Sequence, residues 1–155
     1  MNEMTRQRFL QTLEIVSKES KHLEYSKNQL FGNSFNRSWL DTLENEPDNA
    51  VILEAFVSRY GRLQDTIADK LLPRLLVLLA EKTGAQIDML NRCETLGLIE
   101  STENWLAARQ LRNKLVHEYI QDNEAFYQYL KQAQTYAEMM IKTYEHIKQF
   151  YEARQ

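Results

Sequence analysis

Apolar residues recur along this chain at the spacing of helical faces. Phe9, Leu13, Val16, Leu23 and Leu30 fall on one stripe, with Ser20 and Lys27 in the heptad places between them. The stripe predicts a first helix from Thr5 to Leu30 that stops at Gly32. The following stretch, GNSFNRSWLDTLENEPDNA, is the least regular in the chain. It predicts a short helical turn at SWLDTLE capped by Ser38, with Phe35 and Trp39 as a lid over one end of the core. Ile52, Phe56, Tyr60, Leu63, Ile67 and Leu71 then mark a second long helix, from Asn49 to Lys82, capped by Asp48 or Asn49. Pro73 predicts a kink in it, because proline lacks an N–H and its ring crowds the preceding turn.

IDMLNRCETLG reads as a short helix ending at Gly97, and ENWLAARQLRNKLVHEY as a fourth helix capped by Ser101 or Thr102. Asp122 or Asn123 caps the last helix, whose stripe includes Phe126, Leu130, Ala133, Ala137, Met140, Tyr144, Ile147 and Tyr151. Nothing alternates as a strand does, and no linker or repeat divides the chain. The expectation is one all-α domain over residues 1–155, an up-and-down four-helix bundle with additional short helices. The short loops between the last three helices favour antiparallel neighbours.

Composition narrows this reading. A hydrophobic fraction of 43% and a charged fraction of 26% are those of a soluble globular protein, and 4 Gly with 2 Pro leave few loops. The net charge of -3 gives no general attraction for polyanions, so any such contact needs a local basic cluster. The polar N-terminus has no apolar signal region, and no apolar run approaches the ~20 residues of a membrane span. A cytoplasmic location is expected, with no membrane partner. Cys93 is the single cysteine and can form no internal disulfide. His22 and His146 carry no metal-ligand spacing, so neither a metal nor another cofactor is expected.

The stretch LRNKLVHEY, Leu111 to Tyr119, carries the most chemistry. With Arg112 at zero on a helical wheel, Asn113 lies at ~100° and His117 at ~140°, while Ala108, Leu115 and Leu111 occupy ~260–320°. Arg112, Asn113 and His117 therefore form a polar crescent beside the core face, with Tyr119 where the two meet. Lys114 and Glu118 point away as solvent groups. Arginine offers a permanent cationic fork suited to phosphate, and histidine exchanges a proton near neutral pH. Metal-free RNA cleavage uses such groups: a base takes the 2′-hydroxyl proton, and a cation stabilises charge building at phosphorus. One helix supplies a single histidine, so a two-fold dimer would be needed to bring a second. The same residues also fit a plain solvated helix end, with histidine favoured by the helix dipole.

Arg59, Arg62, Lys70 and Arg74 lie on the second helix with Asp65 and Asp69 among them. Ion pairs within the helix, such as Arg62 with Asp65, are one reading. Contact with RNA by Arg59 and Arg62, together with Arg109, is the other. The tyrosines of the C-terminal part read as packing at the core edge.

RNKLVHEY fits the pattern R-x4-H-x-Y, with asparagine after the arginine, and resembles the HEPN superfamily. More narrowly it resembles the HepT-like branch that is paired with minimal nucleotidyltransferases. The resemblance runs from Phe56 to Tyr119, through YGRLQDTIADKLLPRLLVLLAEKTG and DMLNRCETLGLIESTENWLAARQLRNKLVHEY. It implies a helical bundle that dimerises across the motif helix and acts as a metal-independent endoribonuclease toxin. Arg112 and His117 would be catalytic and Asn113 would assist. The partner nucleotidyltransferase would be the antitoxin and would attach AMP to Tyr119. Some relatives in the branch are non-catalytic substrate-binding subunits of nucleotidyltransferases, which is the alternative the resemblance carries.

Overall fold

The structure is a computed structural model, and it describes residues 2–32, 35–117 and 123–155. Helix α1 spans Glu3–Phe31, α2 Arg37–Leu40 and α3 Pro47–Thr66. A π-helical turn, Ile67–Leu71, joins α3 to α4, Leu72–Leu78. Helices α5 (Gln86–Thr95), α6 (Thr102–His117) and α7 (Asn123–Ala153) follow. The described residues contain no strand, so the protein is an all-α helical bundle, as its periodicity predicts. Among them no helix is long and apolar enough to cross a membrane.

The N-cap of α1 is Asn2, whose side chain accepts from the Met4 N–H at 2.8 Å, so this helix starts earlier than the apolar stripe does. The cap of α2 is Asn36 and not Ser38. Asn36 Oδ1 accepts from the Trp39 N–H at 3.0 Å, and the Ser38 hydroxyl donates to the same oxygen. Ser101 caps α6 by accepting from the Asn104 N–H at 3.1 Å. Asp122, a candidate cap of α7, and Tyr119 lie outside the described residues.

The second long helix differs most from its sequence pattern. It begins at Pro47, a residue suited to a first helical turn because its missing N–H would have no partner there. Before Pro73 the ladder widens: the Leu72 N–H bonds the Ile67 carbonyl in a π turn. Proline removes the donor that the Asp69 carbonyl would use and crowds that carbonyl, and the extra residue absorbs both effects. The helix then ends at Leu78, not Lys82, because Ala80 turns to φ 58°, a left-handed conformation that stops propagation.

One core cluster runs through the bundle, from Phe9, Val16, Leu23 and Leu30 of α1 to Leu130, Met140 and Ile147 of α7. Trp105, Ala108, Leu111 and Leu115 form the buried face of α6. Phe35 and Trp39 close one end, in ring contact with each other and, through Phe35, with Phe31 and Tyr127. Helices α1 and α7 are antiparallel: Tyr151 meets Phe9 and Arg6 at one end, and Lys27 reaches Glu138 at the other.

Candidate functional site

Burying Leu111 and Leu115 against the core leaves Asn113, Val116 and His117 exposed at the C-terminal end of α6. Arg112 lies at the edge of that face and crosses to α3. Its Nη2 meets Asp65 Oδ2 at 3.0 Å, with both side chains more than one-third exposed. The pair forms because α3 carries Gly61 where the arginine passes. A Cβ at Gly61 would stand 2.8 Å from Arg112 Nε, too close for both to keep their places. Glycine inside a helix costs about 1 kcal/mol relative to alanine, so the position gives up local stability for a close approach.

Asp65 therefore bonds Arg112 across the helix interface, where local spacing alone pointed to Arg62. Its carboxyl sits above the usual range, chiefly through burial, against the lowering effect of Arg112 and Arg109. Nearby Asp69 adds to the rise. Asp69 in turn accepts from Gln86 Nε2 at 2.5 Å, and Arg109 donates to Gln86 Oε1. Two polar groups thus lie along one side of the bundle, the Arg112–Asp65 pair and the hydrogen-bonded run Asp69–Gln86–Arg109. Exposed apolar side chains accompany it: Ile87 beside Gln86, and Val116 one turn beyond Arg112.

Of the residues singled out by sequence, the structure places Arg112, Asn113 and His117 at one end of α6, with Arg109 a turn earlier on the same helix. Arg59 and Arg62 do not join them. They lie on the α1 side of α3, where Arg59 Nη1 donates to Ser26 Oγ at 2.8 Å and to the His22 carbonyl at 3.2 Å. Arg62 and Lys70 there exert a favourable charge interaction on Glu19. Lys114 is exposed, as expected, and its Nζ lies 5.1 Å from the Tyr129 ring centre on α7, a cation–π contact.

Two residues that position the crescent, Gly61 and Asp65, were not picked out by motif. The signal for Gly61 is its place as a lone glycine inside an otherwise continuous helical stripe, which marks a close approach by a neighbour. Cys93 is buried, and its thiol is pushed up to about 12 by that burial, which removes the thiolate needed of a nucleophile. Among the described residues no group of His, Cys, Asp and Glu is arranged to hold a metal ion. No family model matches this chain, and no curated protein and no solved structure matches it either.

Proposed function

We propose that this chain is a HepT-like member of the HEPN superfamily, the endoribonuclease toxin of a toxin–antitoxin pair. The observation that carries this reading is the seating of Arg112 over Gly61. It holds a guanidinium half exposed on the same helix end as Asn113 and His117, the three positions that the R-x4-H-x-Y resemblance assigns to catalysis. The apolar exposure of Val116 in that patch supports pairing of α6 with its counterpart in a second copy.

In that homodimer one His117 takes the 2′-hydroxyl proton of the RNA. The freed oxygen attacks the adjacent phosphorus, and the P–O5′ bond breaks. The 5′-oxygen leaves with a proton from the second copy's His117. Arg112 stabilises the charge on the non-bridging oxygens, and Asn113 orients the imidazole or the ribose. The products are a 2′,3′-cyclic phosphate and a 5′-hydroxyl. A cognate minimal nucleotidyltransferase would act as antitoxin by attaching AMP to Tyr119, adding bulk and negative charge beside His117 and repelling RNA phosphates.

The test is incubation of purified protein with a defined RNA pool, followed by chemical identification of the new ends. Cleavage with 2′,3′-cyclic phosphate termini that disappears in His117→Ala supports the reading. Inert RNA with a folded wild-type dimer removes it. A second reading, the non-catalytic subunit of a nucleotidyltransferase, is favoured by the Asp65 pair, which already balances the Arg112 charge. It predicts that the inert dimer still binds the nucleotidyltransferase and raises its affinity for substrate.

A further inference from the structure

In the run Asp69–Gln86–Arg109 a carboxylate and a guanidinium face each other with a neutral amide between them. Gln86 Nε2 donates to Asp69 Oδ1 at 2.5 Å, and Gln86 Oε1 accepts from Arg109 Nη1. Asp69 and Arg109 are both exposed, and among the described residues neither makes an ion pair. The amide gives one donor to the carboxylate and one acceptor to the guanidinium. An adjacent donor and acceptor is also what the edge of a nucleobase presents.

Gln86 holds no part of the core. It is the first residue of α5, whose start has no side-chain cap, and the exposed residues 82–85 precede it. The buried residues of α5 are Leu90 and Cys93, so the amide can turn aside without disturbing the packing. Ile87 follows it at 51% exposure and offers apolar surface beside the pair. Arg109 stands three residues before Arg112 on α6, about 4.5 Å along the axis. Asp65 feels the charges of both arginines and of Asp69, which makes the two polar groups neighbours. Asp69 decides what can bind there. A carboxylate repels RNA phosphate and only accepts hydrogen bonds, so its counterpart on RNA is a base edge that donates. Guanine presents two donors side by side, N1–H and the N2 amino group, with the O6 acceptor next to them. Adenine and cytosine present one amino group each, and uracil a single N–H between two carbonyl oxygens.

We infer that Asp69 and Arg109 form a guanine-reading subsite next to the Arg112 phosphate position, with the Gln86 amide filling it as a stand-in for the base edge until RNA displaces it. The carboxylate accepts from N1–H and the N2 amino group, the guanidinium donates to O6, and Ile87 lies against the base. Single-stranded RNA is read in this way, by hydrogen bonds to the edges of splayed-out bases. The subsite rests on the ribonuclease reading above and names the nucleotide that the α6 site selects.

Binding of short oligouridines with one central guanosine, adenosine, cytidine or inosine tests this, in a His117→Ala background that cannot cleave them. The guanosine RNA should bind about tenfold tighter than the adenosine and cytidine ones. Inosine lacks the N2 amino group and should forfeit most of that preference. Asp69→Asn should erase the guanosine-over-inosine ratio with an unchanged helical spectrum. Gln86→Ala removes the stand-in and should tighten guanosine RNA roughly threefold, which loss of a mere structural tie would not do. Equal affinity for guanosine and inosine RNA, weaker guanosine binding in Gln86→Ala, or no binding of any of the four would overturn the inference. The two readings fail separately. Wild type that cleaves RNA while the four RNAs bind alike keeps the nuclease and loses the subsite. Wild type that cuts no RNA, with the guanosine preference intact, keeps the subsite and loses the nuclease.

Discussion

Helix α3 meets α1 along one edge and α6 along the other, and arginines cross both edges with different consequences. On the α1 edge the partners are hydroxyls and carbonyls. Arg59 bonds Ser26 and the His22 carbonyl, and Arg74 of α4 bonds the Thr12 hydroxyl. These guanidiniums tie helices together. On the α6 edge Arg112 crosses a glycine and meets one carboxylate, leaving more than a third of its side chain in water. The difference teaches that an arginine's role here is decided by what lies opposite it. Neutral acceptors hold Arg59 and Arg74 between helices, whereas Arg112 meets a carboxylate with more than a third of each side chain in water, the setting in which the proposed RNA phosphate would have to displace Asp65.

The largest expected effect follows from removing one cation at each edge. Arg112→Ala should lower RNA cleavage by about a hundredfold to a thousandfold, the usual cost of deleting a group that stabilises transition-state charge. Its melting temperature should stay close to that of the wild type, because a half-exposed ion pair contributes little to stability. Arg59→Ala should leave the cleavage rate intact. Measuring rate and melting temperature on both variants checks the contrast, and a rate loss of similar size in Arg59→Ala would erase it.

Gly61→Ala sharpens the same comparison with a single methyl group. The added Cβ would stand 2.8 Å from Arg112 Nε, so the arginine side chain must shift from its seat over α3. Misplacement of this kind costs roughly tenfold to a hundredfold in rate, while alanine gains up to about 1 kcal/mol of helix propensity. The variant should therefore be less active and no less stable. A fully active Gly61→Ala protein would show that the seating of Arg112 is incidental.

On the α1 edge, Arg59→Ala removes two hydrogen bonds and leaves Ser26, which is buried, without its donor. The expected loss is about 1–2 kcal/mol, read from the midpoint of denaturant unfolding. A neutral result would mean that water replaces the guanidinium at this seam.

These two edges also show what the sequence could reveal. The helices were legible because buried residues repeat at their own local period, and the core stripe of α6 was read residue by residue. The end of α4 was not, since Leu78 and Leu79 continue the apolar run while the backbone turns at Ala80. Likewise the partner of Asp65 was hidden. Spacing along one helix favours Arg62, and only the packing of α6 against α3 brings Arg112, distant in sequence, to 3.0 Å. Arg59 and Arg62 looked equivalent to Arg112 as charges, because sequence does not say which helix lies beside each face.

Glu19 gives the smallest effect and the closest test of why the edges differ. It lies on the α1 side, one carboxylate oxygen buried without a partner, and its pKa is raised above the ordinary 4.5 chiefly by that burial. The Thr66 hydrogen bond and the charges of Arg62, Lys70 and His22 pull the other way without cancelling it. A carboxyl that holds its proton more tightly in the native state gives stability that is fully present below its unfolded pKa and is lost as pH rises through the folded value. Glu19→Gln removes that dependence. The variant should therefore gain on the wild type as pH rises from 4.5 toward neutrality, seen as a widening difference in melting temperature. If the wild type gains instead, attraction to Arg62 and Lys70 outweighs burial. The α1 edge would then hold an ion cluster like the one on α6, and the contrast between neutral acceptors and carboxylates would no longer separate the edge proposed to bind RNA from the other.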